Sequence, residues 1–436
     1  MALFNQSKSQ EETKKPNIVV GLDIGTSKVC AVVASPSEEG RGINILGIGL
    51  AESDGLKRGV VANIDKTIKS IEQVIEQAQM TSGHQITDVV VGIAGDHIDS
   101  LQSKGVIGIS NTDREITQSD VDRVIDESRN FKLPNDRSIL HVIPQEYIID
   151  GQDGILDPIG MAGVRMEVKT HVVTGLQTAI QNIYRCVERI GLNITDVVLE
   201  PLASSYAVLD DDEKEVGVAL IDIGGGTTDI AIFEDRIIRF TSVFGVAGEQ
   251  VTNDIRKGLG IVGTQAERIK RDFGHSYLNS IINDDLFMIP GVGGRKPIEI
   301  SKSYLCQIIQ PRLEEIFQFA LAEIRRSGYA SNLGAGAVIT GGSAMIEGIE
   351  DLAQDVLGMP VKVGFPSHVT YSGLAPEVQS PMYSTGVGLA LFGLESAKKS
   401  RQMNNIITND YQNSPTAKKD GWLGKFGKIK KALEEF

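Results

Sequence analysis

The sequence predicts an α/β protein built from two duplicated halves that flank a cleft, and three stretches carry that prediction. In Leu220-Ile221-Asp222-Ile223-Gly224-Gly225-Gly226-Thr227-Thr228-Asp229-Ile230-Ala231-Ile232-Phe233 an apolar run enters three glycines and leaves as alternating β-type residues, which reads as strand, tight turn, strand. Gly21-Leu22-Asp23-Ile24-Gly25-Thr26-Ser27-Lys28-Val29-Cys30-Ala31-Val32-Val33 reads as a one-residue-shorter copy of that design. Ala337-Val338-Ile339-Thr340-Gly341-Gly342-Ser343-Ala344 is a further strand that runs into paired glycines. One glycine-rich hairpin needs no ligand to explain it. Two copies of one design point to a single ligand held between them.

The residue types indicate phosphate. Glycines let backbone N–H groups approach an anion with no Cβ in the way, and the hydroxyls of Thr227 and Thr228 add donors. Asp23 and Asp222 cannot serve phosphate directly, because anions repel; they suit the hydration shell of Mg²⁺, which keeps several waters when it binds carboxylates and phosphates. The three stretches, in this order, resemble the phosphate-1, phosphate-2 and adenosine segments of the superfamily of actin, DnaK-type chaperones and sugar kinases. Val198-Leu199-Glu200-Pro201-Leu202-Ala203-Ser204-Ser205-Tyr206-Ala207 is similar to its first connecting helix. The resemblance implies the actin-like ATPase fold, with two RNase H-like halves and ATP in the cleft. Its phosphates would lie on Gly25, Thr26, Ser27 and Lys28 and on Gly224, Gly225, Gly226, Thr227 and Thr228, and its nucleoside on Gly341, Gly342 and Ser343. Mg²⁺ would be held through water by Asp23 and Asp222, while Glu200 orients the attacking water. No complete P-loop or G-x-G-x-x-G fingerprint competes with this reading.

Taken in order, residues 1–16 are polar and predicted to be disordered. Residues 17–85 and 171–206 form the first core half. They hold the first hairpin, a strand near Ile43–Leu50, a helix near Ile64–Met80 with Ile64, Ile68, Ile71 and Ile75 at helical spacing, a helix over Gln177–Ile190 and a strand over Asp196–Leu199 before the Glu200 helix. Residues 86–170, after a buried strand at Asp88–Ile93, are read as an inserted α/β subdomain with strands at Gly105–Ser110 and Ser138–Tyr147 and a helix at Ser119–Asn130. An insertion at this position, with the turn Gly160-Met161-Ala162-Gly163-Val164-Arg165, resembles the FtsA family of bacterial division proteins.

Residues 207–255 and 326–396 form the second core half, with a small lobe at 256–325. In that lobe the helix Gln265–Phe273 resembles the chaperones' adenosine-clamping helix, which implies that Glu267, Lys270 and Arg271 hold the ribose and adenine; taken alone it reads as a solvated helix of alternating charge, and the other four motifs in register favour the clamp. The passage Ser301-Lys302-Ser303-Tyr304-Leu305 through Arg312 resembles the FtsA surface that receives the tail of FtsZ, the division tubulin, and Arg295, Lys296, Lys302 and Arg312 make a locally basic patch. Pro381-Met382-Tyr383-Ser384-Thr385-Gly386-Val387-Gly388-Leu389-Ala390 is predicted to close the core as a last helix, again as in that family. Residues 397–420 read as a flexible linker. In 421–436, Trp422, Phe426, Ile429, Leu433 and Phe436 fall within an arc of roughly 80° of a helix, with Leu423 beside them. Four lysines against two glutamates complete an amphipathic membrane-surface helix too short to span a bilayer.

Composition excludes other classes. A net charge of −14 and a pI near 5.0 argue against nucleic acid as a general partner. Cys30, Cys186 and Cys306 are isolated and lack metal-ligand spacing, which suits a reducing cytoplasm. No apolar signal core or long apolar run is present, so neither a signal peptide nor a membrane span is predicted. The FtsA resemblance implies a peripheral protein on the cytoplasmic side of the membrane at the division septum. There it would anchor the FtsZ ring, bind other divisome proteins, assemble into filaments and hydrolyse ATP slowly. A sugar or carboxylate kinase would need an acceptor pocket with a catalytic base, and a DnaK-type chaperone a large peptide-binding domain after the ATPase. A pilus-assembly adaptor of the same superfamily would lack the tail at 421–436.

Overall fold

The computed structural model describes residues 18–37, 42–110, 113–289, 296–367 and 369–413. The expectations for residues 1–16, for Arg295 and for the helix at 421–436 lie outside them. Chain contacts separate a body ending at Gly393 from a unit that begins at Leu394.

The first half opens with β1 (Val19–Ile24), β2 (Lys28–Pro36) and β3 (Ile43–Glu52), an antiparallel meander. A two-residue pair, β4 (Leu56–Lys57) and β5 (Val60–Val61), leads to α1 (Ile64–Ser82), whose N-terminus is capped by the Asn63 side chain accepting from Lys66 N–H. β6 (Asp88–Ile93) then runs parallel to β1, with Gly21 opposite Val90. The second half repeats the plan with β12 (Val218–Ile223), β13 (Thr228–Glu234) and β14 (Ile237–Phe244). Both sheets have the same strand order: β6 lies beside β1 as the later β17 (Ala337–Thr340) lies beside β12. Strands of this kind are buried on both faces by covering helices, so they read as nearly unbroken Val/Ile/Leu runs rather than alternating ones. All six residues of β12 are buried accordingly.

Between β6 and the rest of the first half sits the inserted sheet: β7 (Asp99–Gly108), α2 (Gln118–Glu127), β8 (Arg137–Ile149), β9 (Gln152–Ile155) and β10 (Arg165–Leu176), ordered β7-β10-β8-β9. It has its own core, with Ile116, Val124, Met166 and Val168 almost fully enclosed. The boundaries expected at 86 and 170 need correction. β6 belongs to the core sheet, where parallel pairing to β1 holds it, and β10 runs on to Leu176. The insertion also touches the second half, a contact the sequence does not suggest. Ser100 Oγ donates to the Thr241 carbonyl at 2.9 Å, Gln145 Nε2 to the carbonyls of Ile238 and Arg239 at 2.9 and 3.0 Å, and His171 Nε2 lies 2.8 Å from Thr241 Oγ1. These side chains occupy hydrogen-bonding groups of β14, an edge strand that would otherwise stand open.

The first half closes with α3 (Gln177–Glu188), β11 (Asn193–Leu199), α4 (Glu200–Val208) and the short α5 (Asp211–Val216). After β14 come α6 (Gly248–Leu259), α7 (Gly263–Phe273), the hairpin β15 (Leu286–Ile289) and β16 (Ile298–Ser301), and the long α8 (Lys302–Ser327). The lobe boundary expected at 256 cuts α6, whose Val251 and Ile255 belong to the second core, so the lobe is not separable there. Pro311 inside α8 costs about 3 kcal/mol. Burial of Leu305, Ile309, Leu313 and Phe317, each contributing roughly 1.5–3 kcal/mol, outweighs it. After β17 the chain forms α9 (Ile349–Leu357), β18 (Val361–Val363), β19 (Val369–Gly373) and α10 (Ser384–Asn413). β19 returns to the first half and pairs in parallel with β3, so the halves are interlocked rather than strung in series. The start of α10 lies on the first sheet, where Leu389 joins Val90, Val198 and Ala203. α10 continues through Asn413, into the stretch read as a linker from 397. That stretch contains no Gly or Pro before Pro415 and many good helix formers, which the low apolar content obscured.

Candidate functional site

The two hairpins meet. A Cβ placed on Gly225 would fall 1.8 Å from Ser27 Oγ, and one on Gly226 2.4 Å from Thr26 Oγ1. The glycines are thus required where one turn packs on the other, a demand additional to any ligand. Both turns close alike, Gly25 N–H bonding to the Lys28 carbonyl and Gly224 N–H to the Thr227 carbonyl, each at 3.0 Å. Their length is therefore equal, and the one-residue difference expected from the sequence is corrected: Asp23 pairs with Cys30 in register as Asp222 pairs with Asp229.

Asp222 is buried and held by both helices at the base of the cleft. Ser204 Oγ of α4 donates to its Oδ2 at 2.7 Å and Thr385 Oγ1 of α10 at 3.4 Å. Its carboxyl is pushed up to about 6, first by burial and also by the Asp23 charge, against the lowering effect of the Ser204 bond. Gly341, at φ 89°, brings the third turn so close that a Cβ there would lie 2.4 Å from Asp222 Oδ1; only glycine adopts this backbone without strain. Glu200 begins α4 and is only partly exposed; burial raises its carboxyl well above the usual range, as do Asp23, Asp229 and Asp222. Four acids therefore share one neighbourhood. Asp23 is paired with the Lys28 ammonium, so Lys28, expected on a phosphate, is committed to that carboxylate. Burial alone would lower the lysine, but Asp23 outweighs it and the net shift is upward.

Asp229 is a candidate site residue that the sequence reading missed. Its Oδ2 accepts from Thr227 Oγ1 at 3.0 Å, while its Oδ1 is buried without a partner. Burial first, and then Asp222, raise its carboxyl well above the ordinary range. The signal lay in the hairpin: equal turns place residues seven apart directly across from each other. An orphaned carboxylate oxygen among three more acids fits a hydrated divalent cation. Among the described residues no three Asp, Glu, His or Cys side chains converge as a direct metal-binding group. Thr227 and Thr228 are less available than expected, since the Thr228 hydroxyl is buried and donates to the Val246 carbonyl at 2.8 Å.

The third turn and α7 come together around α6. Gly224 O accepts from Ser343 Oγ and from Gly248 N–H, each at 3.1 Å, and Gly225 O from Glu249 N–H at 2.8 Å. Lys270 is buried; its Nζ donates to the Gly248 carbonyl at 3.1 Å and Thr252 Oγ1 at 2.9 Å, and pairs with Glu267 at 2.7 Å. Burial lowers its ammonium, with Glu267 acting in the opposite direction. Arg271 is exposed. Ser343 and Lys270 thus both approach Gly248, and Glu267 pairs with Lys270. Gly342 itself meets nothing within 4 Å of a Cβ, which leaves this side of the turn open.

Two of the four cations of the expected basic patch, Arg312 and Lys302, are paired within the chain. Arg312 Nε bonds Asp254 at 2.6 Å and its Nη1 bonds Glu315, while Lys302 Nζ bonds Glu347 at 2.5 Å. Sequence reading counted the cations and not their tertiary partners. Lys296 is exposed.

Comparison with known proteins agrees with this fold. The family described as "Cell division protein FtsA" matches residues 219–388, and the "SHS2 domain inserted in FTSA" matches residues 95–174. Proteins named Cell division protein FtsA are 46% identical over 386 residues in Pseudomonas aeruginosa, covering 88% of this chain and 91% of that one, and 39% identical in Escherichia coli strain K12, covering 87% and 91%. Among solved structures, the PilM-PilN type IV pilus biogenesis complex aligns with a TM-score of 0.63 at 17% identity, covering 87% of this chain and 99% of that one. MreB5 of Spiroplasma citri bound to ADP aligns at 0.55 and 16%, covering 88% and 98%. At such identities these structures speak for the actin-like ATPase fold alone.

Proposed function

The chain belongs to the FtsA family of cell division proteins, and on that premise we propose that it binds ATP with Mg²⁺ between its halves and anchors the FtsZ ring to the cytoplasmic face of the membrane. The observation that carries the nucleotide reading is the meeting of two glycine hairpins over four buried or half-buried acids, closed on one side by the Gly341 turn. Asp23, Asp222 and Asp229 would hold the waters of Mg²⁺, and the turn at 25–28 with that at 224–227 would hold phosphates. Glu200 would orient a water for slow hydrolysis. Such chemistry asks mainly for position and charge neutralisation.

The anchoring reading rests on sequence: the segment 421–436 has the composition of an interfacial helix. Among the described residues no helix is long and apolar enough to cross a membrane. One such tail binds lipid weakly, because ordering its residues offsets most of what burial contributes. A filament presenting many tails would bind firmly by avidity. The lobe carrying β15 and β16 would receive the FtsZ tail. With Arg312 and Lys302 paired internally, exposed apolar side chains such as Leu286 and Met288 are the better contact surface. Other divisome proteins and self-assembly at the septum complete the reading.

The test is co-sedimentation of the full chain with ATP, anionic vesicles and FtsZ in all combinations. The wild type is expected to pellet with vesicles and to bring FtsZ with it. Trp422→Glu, or truncation after Asp420, should leave the protein in the supernatant with ATP binding intact. Continued pelleting of the truncated chain would remove the tail from the proposal.

A further inference from the structure

Arg58 stands in the link between β4 and β5 with φ at 50°, in the left-handed region that a long side chain enters only when its surroundings hold it there. What holds it is the next residue. Gly59 N–H donates to Thr26 Oγ1 at 3.0 Å, and Gly59 lies so near the chain after β6 that a Cβ on it would be 2.4 Å from the Ala94 carbonyl. The link is therefore fastened to the turn of the first hairpin. Its side chain reaches the second half: a Cβ on Gly245 would lie 2.9 Å from Arg58 Cδ and 3.4 Å from Nε. Gly245 begins the loop between β14 and α6, the same loop that receives the Thr228 hydroxyl at Val246 and whose helix bonds Gly224 and Gly225. One arginine thus spans from the support of one hairpin to the support of the other.

Its charge is weakly committed. The side chain is 50% exposed, and the ion pair it makes, with Asp96, is stretched to 4.0 Å. Lys28, the cation inside the cleft, is already bound to Asp23. The acids of the cleft thus outnumber their paired cation, and a polyphosphate entering there adds several more negative charges. A guanidinium, with a planar fork of donors suited to phosphate, is the group that would compensate them. The Gly341 turn and α7, which take the nucleoside end, both belong to the second half. A cation reaching across from the first half therefore meets the ligand at its phosphate end.

We propose that Arg58 is a phosphate-binding residue that bridges the two halves, contacts the terminal phosphate of a nucleoside triphosphate and so distinguishes triphosphate from diphosphate. The inference rests on the nucleotide reading of the cleft. It explains why a strained arginine occupies a position that glycine would fill more easily.

The experiment measures Mg²⁺-dependent affinity for ATP and for ADP by calorimetry on the full chain, for the wild type, Arg58→Ala and Arg58→Gly. Arg58→Gly relieves the positive φ, so loss of folding cannot account for its result. The expected outcome is a tenfold or larger loss of ATP affinity in both variants with less than a threefold change for ADP. Equal losses for the two nucleotides would make Arg58 a brace for the hairpins, and unchanged affinity for both would leave it no part in binding; either overturns the proposal while the nucleotide site stands. A wild type that binds neither nucleotide overturns the site and the proposal together.

Discussion

Asp222 and Asp229 stand directly opposite each other across the second hairpin, in the register that pairs Asp23 with Cys30 in the first. Like charges at opposed positions of an antiparallel pair destabilise it, and burial enlarges the penalty. The duplicated hairpins are therefore alike in backbone and unlike in charge. In the first, Lys28 neutralises the acid. In the second, two acids face one another with one oxygen unpartnered, an arrangement that a cation would relieve.

Asp222→Asn should stabilise the ligand-free protein and weaken its magnesium-dependent ATP binding. The carboxyl titrates near 6 in the folded chain against an ordinary 3.8, raised first by burial. Between those values the folded chain holds more protons than the unfolded one, so this group's contribution to stability falls as pH rises through the window. At pH 7 the variant should gain on the order of 2 kcal/mol in urea denaturation, with the gain vanishing below about pH 4. A variant less stable than wild type at pH 7 would contradict the charge argument.

Lys270→Ala and Arg271→Ala should separate structure from binding. Lys270 is enclosed and bonded to Gly248, Thr252 and Glu267, so its loss should cost about 1–3 kcal/mol of stability as well as ATP affinity. Arg271 is exposed, and its removal should leave the melting temperature unchanged while lowering affinity for adenine nucleotides. Thermal melts beside ATP titrations decide between the two patterns. Arg271→Ala with full affinity would remove it from the clamp.

Arg312→Glu should damage the fold before it says anything about FtsZ. The substitution sets a third carboxylate against Asp254 and Glu315. The groups are partly exposed, so screening limits the loss to about 1 kcal/mol, easing with added salt. Urea melts at low and high salt measure it, and unaltered stability at low salt would show the pairs to be idle. The milder Lys296→Glu, at an exposed position, is the better probe of charge in FtsZ binding.

Gln145→Ala should loosen β14 without unfolding the core. Its amide donates to the carbonyls of Ile238 and Arg239 across the seam between insertion and second half. Removing it leaves the buried Ile238 carbonyl unmet, at about 1–3 kcal/mol, while the Arg239 carbonyl keeps Gln102 Nε2 at 3.3 Å. Hydrogen exchange should quicken in β14 while β12 keeps its protection. Uniform exchange in wild type and variant would mean that the seam carries no load.

Much of this protein was legible along the chain because its decisive signals are local. A strand that ends in glycines and returns needs only neighbouring residues to be recognised, so β1, β2, β12, β13 and β17 and the carboxylates of Asp23 and Asp222 could be read directly. The duplication was legible for the same reason, since one design appears twice. The tail at 421–436 has a periodicity that the sequence alone supplies. Tertiary structure decided whatever depends on which distant groups meet. It paired Arg312 with Asp254 and Lys302 with Glu347, which a count of charges along the chain does not anticipate. It moved β6 into the core sheet by parallel pairing with β1, a long-range choice that local propensity cannot express. It brought Ser204 and Thr385 onto Asp222 from helices far apart in the chain, and set Arg58 against Gly245. Backbone propensity and hydrophobic period act over a few residues, whereas charge pairing and burial act through space, and the chemistry of the cleft belongs to the second kind.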